Sequence, residues 1–129
     1  TGGKFKKRWG RIGDSPVIGA GTYADNNSCA VSCTGHGEYF IRHAVAFDVC
    51  ARYKYLKESV EKAADYIIHT ELNTNAGNGG LIAVDKLGNI AMPYNSGGMF
   101  RGFLYKEKGS PEIKKGCGIG KKIVVVGEK

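Results

Sequence analysis

The spacing of apolar residues switches between two periods along the chain, and the switches mark out its elements. Residues 1–16 carry no apolar rhythm and read as a loop rich in glycine and lysine. The stretch 16–22 is small and broken by glycine. A short apolar run predicts a strand over 30–33. From Glu38 the period becomes helical. Phe40, Ile41, Ala44, Val45, Phe47, Val49 and Cys50 predict a helix to about Tyr55, buried on more than one side because its apolar arc is wide. A second helix follows, with Ser59 as N-cap and Val60, Ala63, Ala64, Ile67 and Ile68 as its inward stripe. Turn residues fill 73–80. Strands are expected over 81–84 and 89–94, joined by a hairpin turn at 85–88, and a last one over 123–126.

This order is loop, strand, helix, helix, hairpin and tail. It groups the helices in sequence and lets the strands pair antiparallel. The fold class it predicts is α+β, with helices layered on one face of an antiparallel sheet. Too little chain remains to cover the other face, so a partner chain or a further segment must bury it.

Composition changes this picture in three ways. Glycine supplies 20 of 129 residues, about twice the average usage, scattered among apolar runs as tight turns and close backbone approaches require. No apolar run approaches the roughly 18 residues of a membrane span. The chain opens on Thr1 without a leader or an initiator methionine, which reads as a processed product or a fragment. The cysteines are Cys29, Cys33, Cys50 and Cys117. Cys29, Val31 and Cys33 share one strand face, and two cysteines on one extended strand diverge too far to bond to each other. Buried, reduced thiols and a cytoplasmic location are expected.

The net charge of +7 concentrates in Lys4, Lys6, Lys7, Arg8 and Arg11 and in Lys114, Lys115, Lys121 and Lys122. Trp9 stands within the first group and is available for stacking. Interleaved glycines and carboxylates break any continuous basic face, which argues against a nucleic-acid partner. A non-catalytic basic binding module remains the alternative reading of these segments.

Three stretches can carry chemistry. "VSCTGHGE" hands a strand to a helix through Thr34, Gly35, His36 and Gly37. That places a hydroxyl and unhindered N–H groups at a helix start, where they cap the helix, bind an anion or stabilise an oxyanion. In "GRIGDSP", Arg11 and Asp14 either pair with each other or grip the carboxylate and ammonium of an amino-acid head group. In "TGG", a free N-terminal Thr1 has the groups of a nucleophile with its own amine as base. His36, His43 and His69 have no zinc-ligand spacing, so no metal site and no cofactor are expected.

Taken in order, "TGG", "GRIGDSPVIGAGTYAD", "VSCTGHGE", "GLIAVDKLGNIAMPYN" and "GGMFRG" resemble the β-subunit of the plant-type asparaginases, or isoaspartyl peptidases, of the N-terminal nucleophile hydrolase superfamily. The resemblance covers residues 1–105 as an asparaginase-domain part and leaves 106–129 as a divergent basic tail. Glycosylasparaginases share "GR-GDSP" and "TG-G" but fit the middle and end less well. The resemblance implies a four-layer αββα sandwich of which this chain is an incomplete part. Its partners would be the α-subunit of the same self-cleaving precursor, an (αβ)2 assembly, and a small-molecule substrate, asparagine or a β-aspartyl dipeptide. By position, Arg11 would hold the substrate's α-carboxylate, Asp14 its α-ammonium, and Thr34 and Gly35 the oxyanion, with Gly37 close by.

The chain departs from that family at its start. A family β-subunit opens with a Thr-Val-Gly strand whose threonine is the nucleophile, and runs on to a Thr-Ser-Thr-Gly-Gly segment. Thr1 aligns with the last threonine of that segment. The resemblance therefore makes Thr1 the second active-site threonine, sets the nucleophile upstream of it, and implies that this chain alone is inactive.

Overall fold

The structure is a computed structural model that describes residues 6–106, 109, 113–120 and 124–127. It divides into two units, Thr1–Ser96 and Gly97–Lys129.

In the first unit, β1 (Thr22–Ala24), β2 (Cys29–Gly35), β3 (Gly79–Asp85) and β4 (Ile90–Ala91) form an antiparallel sheet in the order β1-β2-β3-β4. The period-two alternation of β2 buries Cys29, Val31 and Cys33 and turns Ala30 and Ser32 outward. β3 is in register with it: Val31 lies opposite Ala83 and Cys33 opposite Leu81 on the buried face. Phe40, Val45, Val49, Val60, Ala63, Ala64, Ile67, Ile68 and Leu72 complete one core with these residues. Each large side chain buried there contributes roughly 1.5–3 kcal/mol, which is what holds helices to sheet. The other face pairs Ser32 with Ile82 and Ala30 with Val84, and there Ile82 and Val84 remain 48% and 45% exposed. The α+β class, with helices on one face of an antiparallel sheet, is thus observed in this unit.

The expected helix over 38–55 is interrupted. α1 covers Gly37–Arg42 and α2 covers Val45–Ala51, with Ala44 in the left-handed conformation between them at φ 45. That conformation costs an alanine about 1–2 kcal/mol. Tertiary hydrogen bonds offset the cost: the N–H groups of Ala46 and Phe47 reach the carbonyls of Ala20 and Gly19 at 3.0 and 2.9 Å. The glycine-broken stretch 16–22 thereby caps α2. A π-helical segment, Arg52–Leu56, continues α2. α3 (Val60–Tyr66) starts where expected, with the Ser59 hydroxyl accepting from the Lys62 N–H at 3.2 Å, and winds on as a second π-helical segment, Ile67–Leu72.

Other differences have local causes. β4 is two residues long where 89–94 was expected, because Pro93 has no N–H to donate. Pairing resumes in the same register beyond it: the Pro93 carbonyl accepts from Leu81, Gly80 bridges Tyr94, and the Asn95 N–H reaches the Gly79 carbonyl at 2.9 Å. β1 has three residues and too little pattern to read.

In the second unit, β5 (Arg101–Lys106), β6 (Ile113–Gly118) and β7 (Val124–Gly127) pair antiparallel in the order β5-β6-β7. β7 lies one residue beyond the expected 123–126. β5 and β6 escape a pattern search because Gly102, Gly116 and Gly118 and lysines break their alternation.

Candidate active site

β2 ends in a crossing of two backbones. Thr34 pairs with Gly80 and Gly35 with Gly79. Gly35 and Gly79 have φ values of 143 and 158, and a Cβ on Gly35 would collide with the Asn78 carbonyl and come within 2.6 Å of the Gly79 Cα. Only glycine tolerates such an approach. The Phe40 ring packs on it from the core side, 3.0 Å from where a Gly35 Cβ would stand. Asn95 fixes the opposite strand: its side-chain oxygen accepts from Gly79 N–H at 2.8 Å, and its amide donates to the carbonyls of Gly77 and Ile68 at 2.9 and 3.2 Å.

Past the crossing, the His36 N–H bonds the Asn78 carbonyl at 2.9 Å and Gly37 opens α1. Amides at a helix start have no partner within the helix, so the turn that follows Thr34 has donors to offer at Gly37 and Glu38. Thr34, Gly35 and His36 are partly exposed.

The loop bearing Arg11 and Asp14 lies against this turn. Asp14 is 5% exposed, and a Cβ on Gly37 would stand 2.8 Å from its Oδ1 and 2.9 Å from its backbone nitrogen. Its Oδ2 is buried and has no hydrogen-bond partner among the described residues. Behind it the chain folds back, so that a Cβ on Gly21 would collide with the Asp14 carbonyl. Arg11 does not pair with Asp14. Its Nη2 donates to Glu38 Oε2 at 2.5 Å, across 27 residues of sequence and on the first turn of α1. That contact is about one-third to two-fifths exposed, which limits its worth to roughly 0–1 kcal/mol and leaves Arg11 free to exchange partners. The Cys33 thiol is pushed up, first by burial and then by the nearby Asp14 carboxylate, so it stays protonated and inert beside the turn.

The structure thus brings Arg11, Asp14, Thr34, Gly35 and Gly37 to one turn. Thr1 lies outside the described residues. Sequence reasoning missed two participants. Glu38 was read only as the residue opening a helix; its opposite charge to Arg11 was legible, but the contact was not. Asn95 ends the stretch "GLIAVDKLGNIAMPYN" that carries the resemblance, but neighbouring residues give it no role, because its partners are Gly77, Gly79 and Ile68. Cys29, Cys33 and Cys50 are buried free thiols, as expected, whereas Cys117 on β6 is exposed. No group of three or more potential metal ligands occurs among the described residues. No helix among them is long and apolar enough to cross a membrane.

Comparison with known proteins gives this arrangement a family. The chain is 50% identical over 105 residues to the isoaspartyl peptidase of Salmonella typhimurium, covering 81% of this chain and 34% of that protein. It is 45% identical over 119 residues to the isoaspartyl peptidase of Escherichia coli, covering 84% and 37%. It is 51% identical over 102 residues to a probable isoaspartyl peptidase/L-asparaginase of Arabidopsis thaliana, covering 79% and 30%. The chain spans about a third of the length of these curated relatives. A family described as asparaginase matches residues 1–113. On that match and those identities, the chain belongs to the asparaginase family.

Proposed function

We propose that this chain is the β-subunit portion of a threonine-nucleophile amidohydrolase acting on L-asparagine and β-aspartyl dipeptides. A threonine hydroxyl attacks the side-chain carbonyl of an aspartyl group. The amine or ammonia leaves, and water releases aspartate from the acyl-enzyme. Arg11 holds the α-carboxylate and Asp14 the α-ammonium. Thr34 and Gly35 stabilise the oxyanion, an effect worth about 3–4 kcal/mol per donor in acyl transfer. Gly37 lets the substrate approach Asp14, and Thr1 hydrogen-bonds near an upstream nucleophile. The names of the relatives support the substrate class.

The observation that carries the reading is the buried Asp14 carboxylate, whose Oδ2 meets no group among the described residues, while Arg11 reaches Glu38 on the same turn. A buried charge without a partner is costly unless a ligand completes it, and an ammonium does. The half-exposed Ile82 and Val84 support a second sheet packing on that face, which the αββα sandwich and the α-subunit would supply, with an (αβ)2 assembly built from such pairs. The buried reduced thiols support a cytoplasmic location.

In the full-length protein, Arg11→Ala should raise KM for β-aspartyl dipeptides at least about tenfold without lowering the melting temperature. Unchanged kinetics in that variant would remove the clamp. The purified 129-residue chain should show no turnover; activity there would make Thr1 the nucleophile. A second reading rests on Trp9, fully exposed beside Lys6, Lys7 and Arg8. It is a basic binding surface, and salt-sensitive oligonucleotide binding that Trp9→Ala abolishes would favour it.

A further inference from the structure

The first residue of β2 and the penultimate residue of α2 meet inside the core. The Sγ atoms of the free thiols Cys29 and Cys50 are in direct contact, 2.7 Å apart, so a small movement would bring them to the roughly 2.05 Å of a disulfide. Both residues are buried, at 3% and 2% exposure. The Cys50 thiol also lies 3.1 Å from the Cys29 carbonyl. The junction is held by Ser28, fully buried, whose hydroxyl donates to the Cys50 carbonyl at 2.7 Å. Neither thiol takes part in the candidate active site. Cys33, on the same strand face as Cys29, cannot compete for it, because two positions on one extended strand diverge.

We propose that Cys29 and Cys50 form a reversible dithiol–disulfide site, oxidised by hydrogen peroxide and restored by a dithiol reductant. Cys29 is the sulfur that reacts first. The Ser28 hydroxyl lies 3.6 Å from its sulfur. The contact with Cys50, in which either thiol can donate, lowers the pKa of Cys29 against the effect of burial, while the same contact and burial raise that of Cys50. The Cys29 thiolate attacks one peroxide oxygen and the O–O bond breaks. A sulfenic acid forms on Cys29, and the departing hydroxide takes a proton and leaves as water. The Cys50 sulfur then attacks the Cys29 sulfur, the S–O bond breaks, and a second water leaves. Two thiols and one peroxide become one disulfide and two waters, the sulfurs losing the two electrons that the peroxide gains. Both thiols are buried, so peroxide reaches them through local opening, and the reaction is slower than at the exposed Cys117.

The bond would close a loop over 29–50 that contains β2, the crossing at Gly35, and both α1 and the left-handed Ala44. Oxidation therefore braces the segment that carries the candidate donors. This inference does not depend on the hydrolase reading.

The test treats the folded protein with hydrogen peroxide until Cys117 is oxidised, alkylates remaining thiols after unfolding, and maps peptides without reduction. A Cys29–Cys50 linked peptide, lighter by about 2 Da than its two parts, is expected, together with a melting temperature raised by about 5 °C or more. Dithiothreitol should reverse both. In Cys50→Ala the link disappears and dimedone traps a sulfenic acid on Cys29. If Cys29 and Cys50 both remain alkylatable, or are driven to sulfinic acid without joining, the proposal fails. If Cys50→Ala does not fold, the wild-type peptide map alone decides.

Discussion

Asp14 and Asp85 are both buried carboxylates, 5% and 6% exposed, yet the fold surrounds them in opposite ways. Asp85 closes the hairpin turn between β3 and β4. Its oxygens accept from the N–H of Leu87 and of Asn89 and from the Asn89 amide, at 2.8, 2.9 and 2.8 Å. Burial alone would raise its pKa, but these donors outweigh it and hold the carboxyl below the usual range. Asp14 has a buried Oδ2 with no partner among the described residues and a glycine where a side chain would shield it. A carboxylate satisfied by its own turn is a structural part. One whose buried oxygen meets no described group is, on the proposed reading, where the substrate's ammonium binds.

The strongest test of that contrast is Asp14→Asn in the full-length protein. It keeps the shape and removes the charge, and kcat/KM for β-aspartyl dipeptides should fall about 100- to 1000-fold, with the melting temperature unchanged or higher. Asp85→Ala should do the reverse. It should cost about 2–3 kcal/mol in denaturant unfolding and leave the kinetic constants alone, since only the hairpin loses its lock. If both variants lose stability and neither loses activity, the distinction between the two carboxylates is wrong.

A smaller effect is expected from Glu38→Gln, which loosens Arg11 without removing it. KM should rise a few-fold, up to about tenfold, while kcat holds. The smallest effect is in the pH dependence of stability. The folded pKa of Asp85 is depressed, so its contribution is complete above the ordinary carboxylate value of about 3.9 and fades as the pH falls through the lower folded value. Denaturant midpoints measured across the acid range should slope less steeply in Asp85→Asn than in the wild type.

Legibility in the sequence followed how local each cause is. The Ser59 cap, the hairpin turn at 85–88 and the stripe of α3 depend on residues a few positions apart, and all were readable. The break at Ala44 was not, because the groups that make it favourable are the carbonyls of Gly19 and Ala20. The short β4 was overread because alternation outweighed the missing N–H of Pro93. At the site, "GRIGDSP" and "TGHG" identified Arg11, Asp14, Thr34, Gly35 and Gly37 as candidates. Of the two partners open to Arg11, the local one, Asp14, gives way to Glu38, and the head-group clamp stays part of the proposed function.

The sequence by itself determined the α+β class, the buried face of β2, the family, and the residue types that can grip an amino-acid head group. Those are carried by periodicity and by short motifs whose chemistry is local. Tertiary structure alone decided that β2 and β3 cross at Gly35 and Gly79, that Asp14 has a buried oxygen without a partner among the described residues, and that the sulfurs of Cys29 and Cys50 face each other. Each depends on which distant backbone or side chain arrives, and packing sets that through contacts that no spacing along one chain encodes.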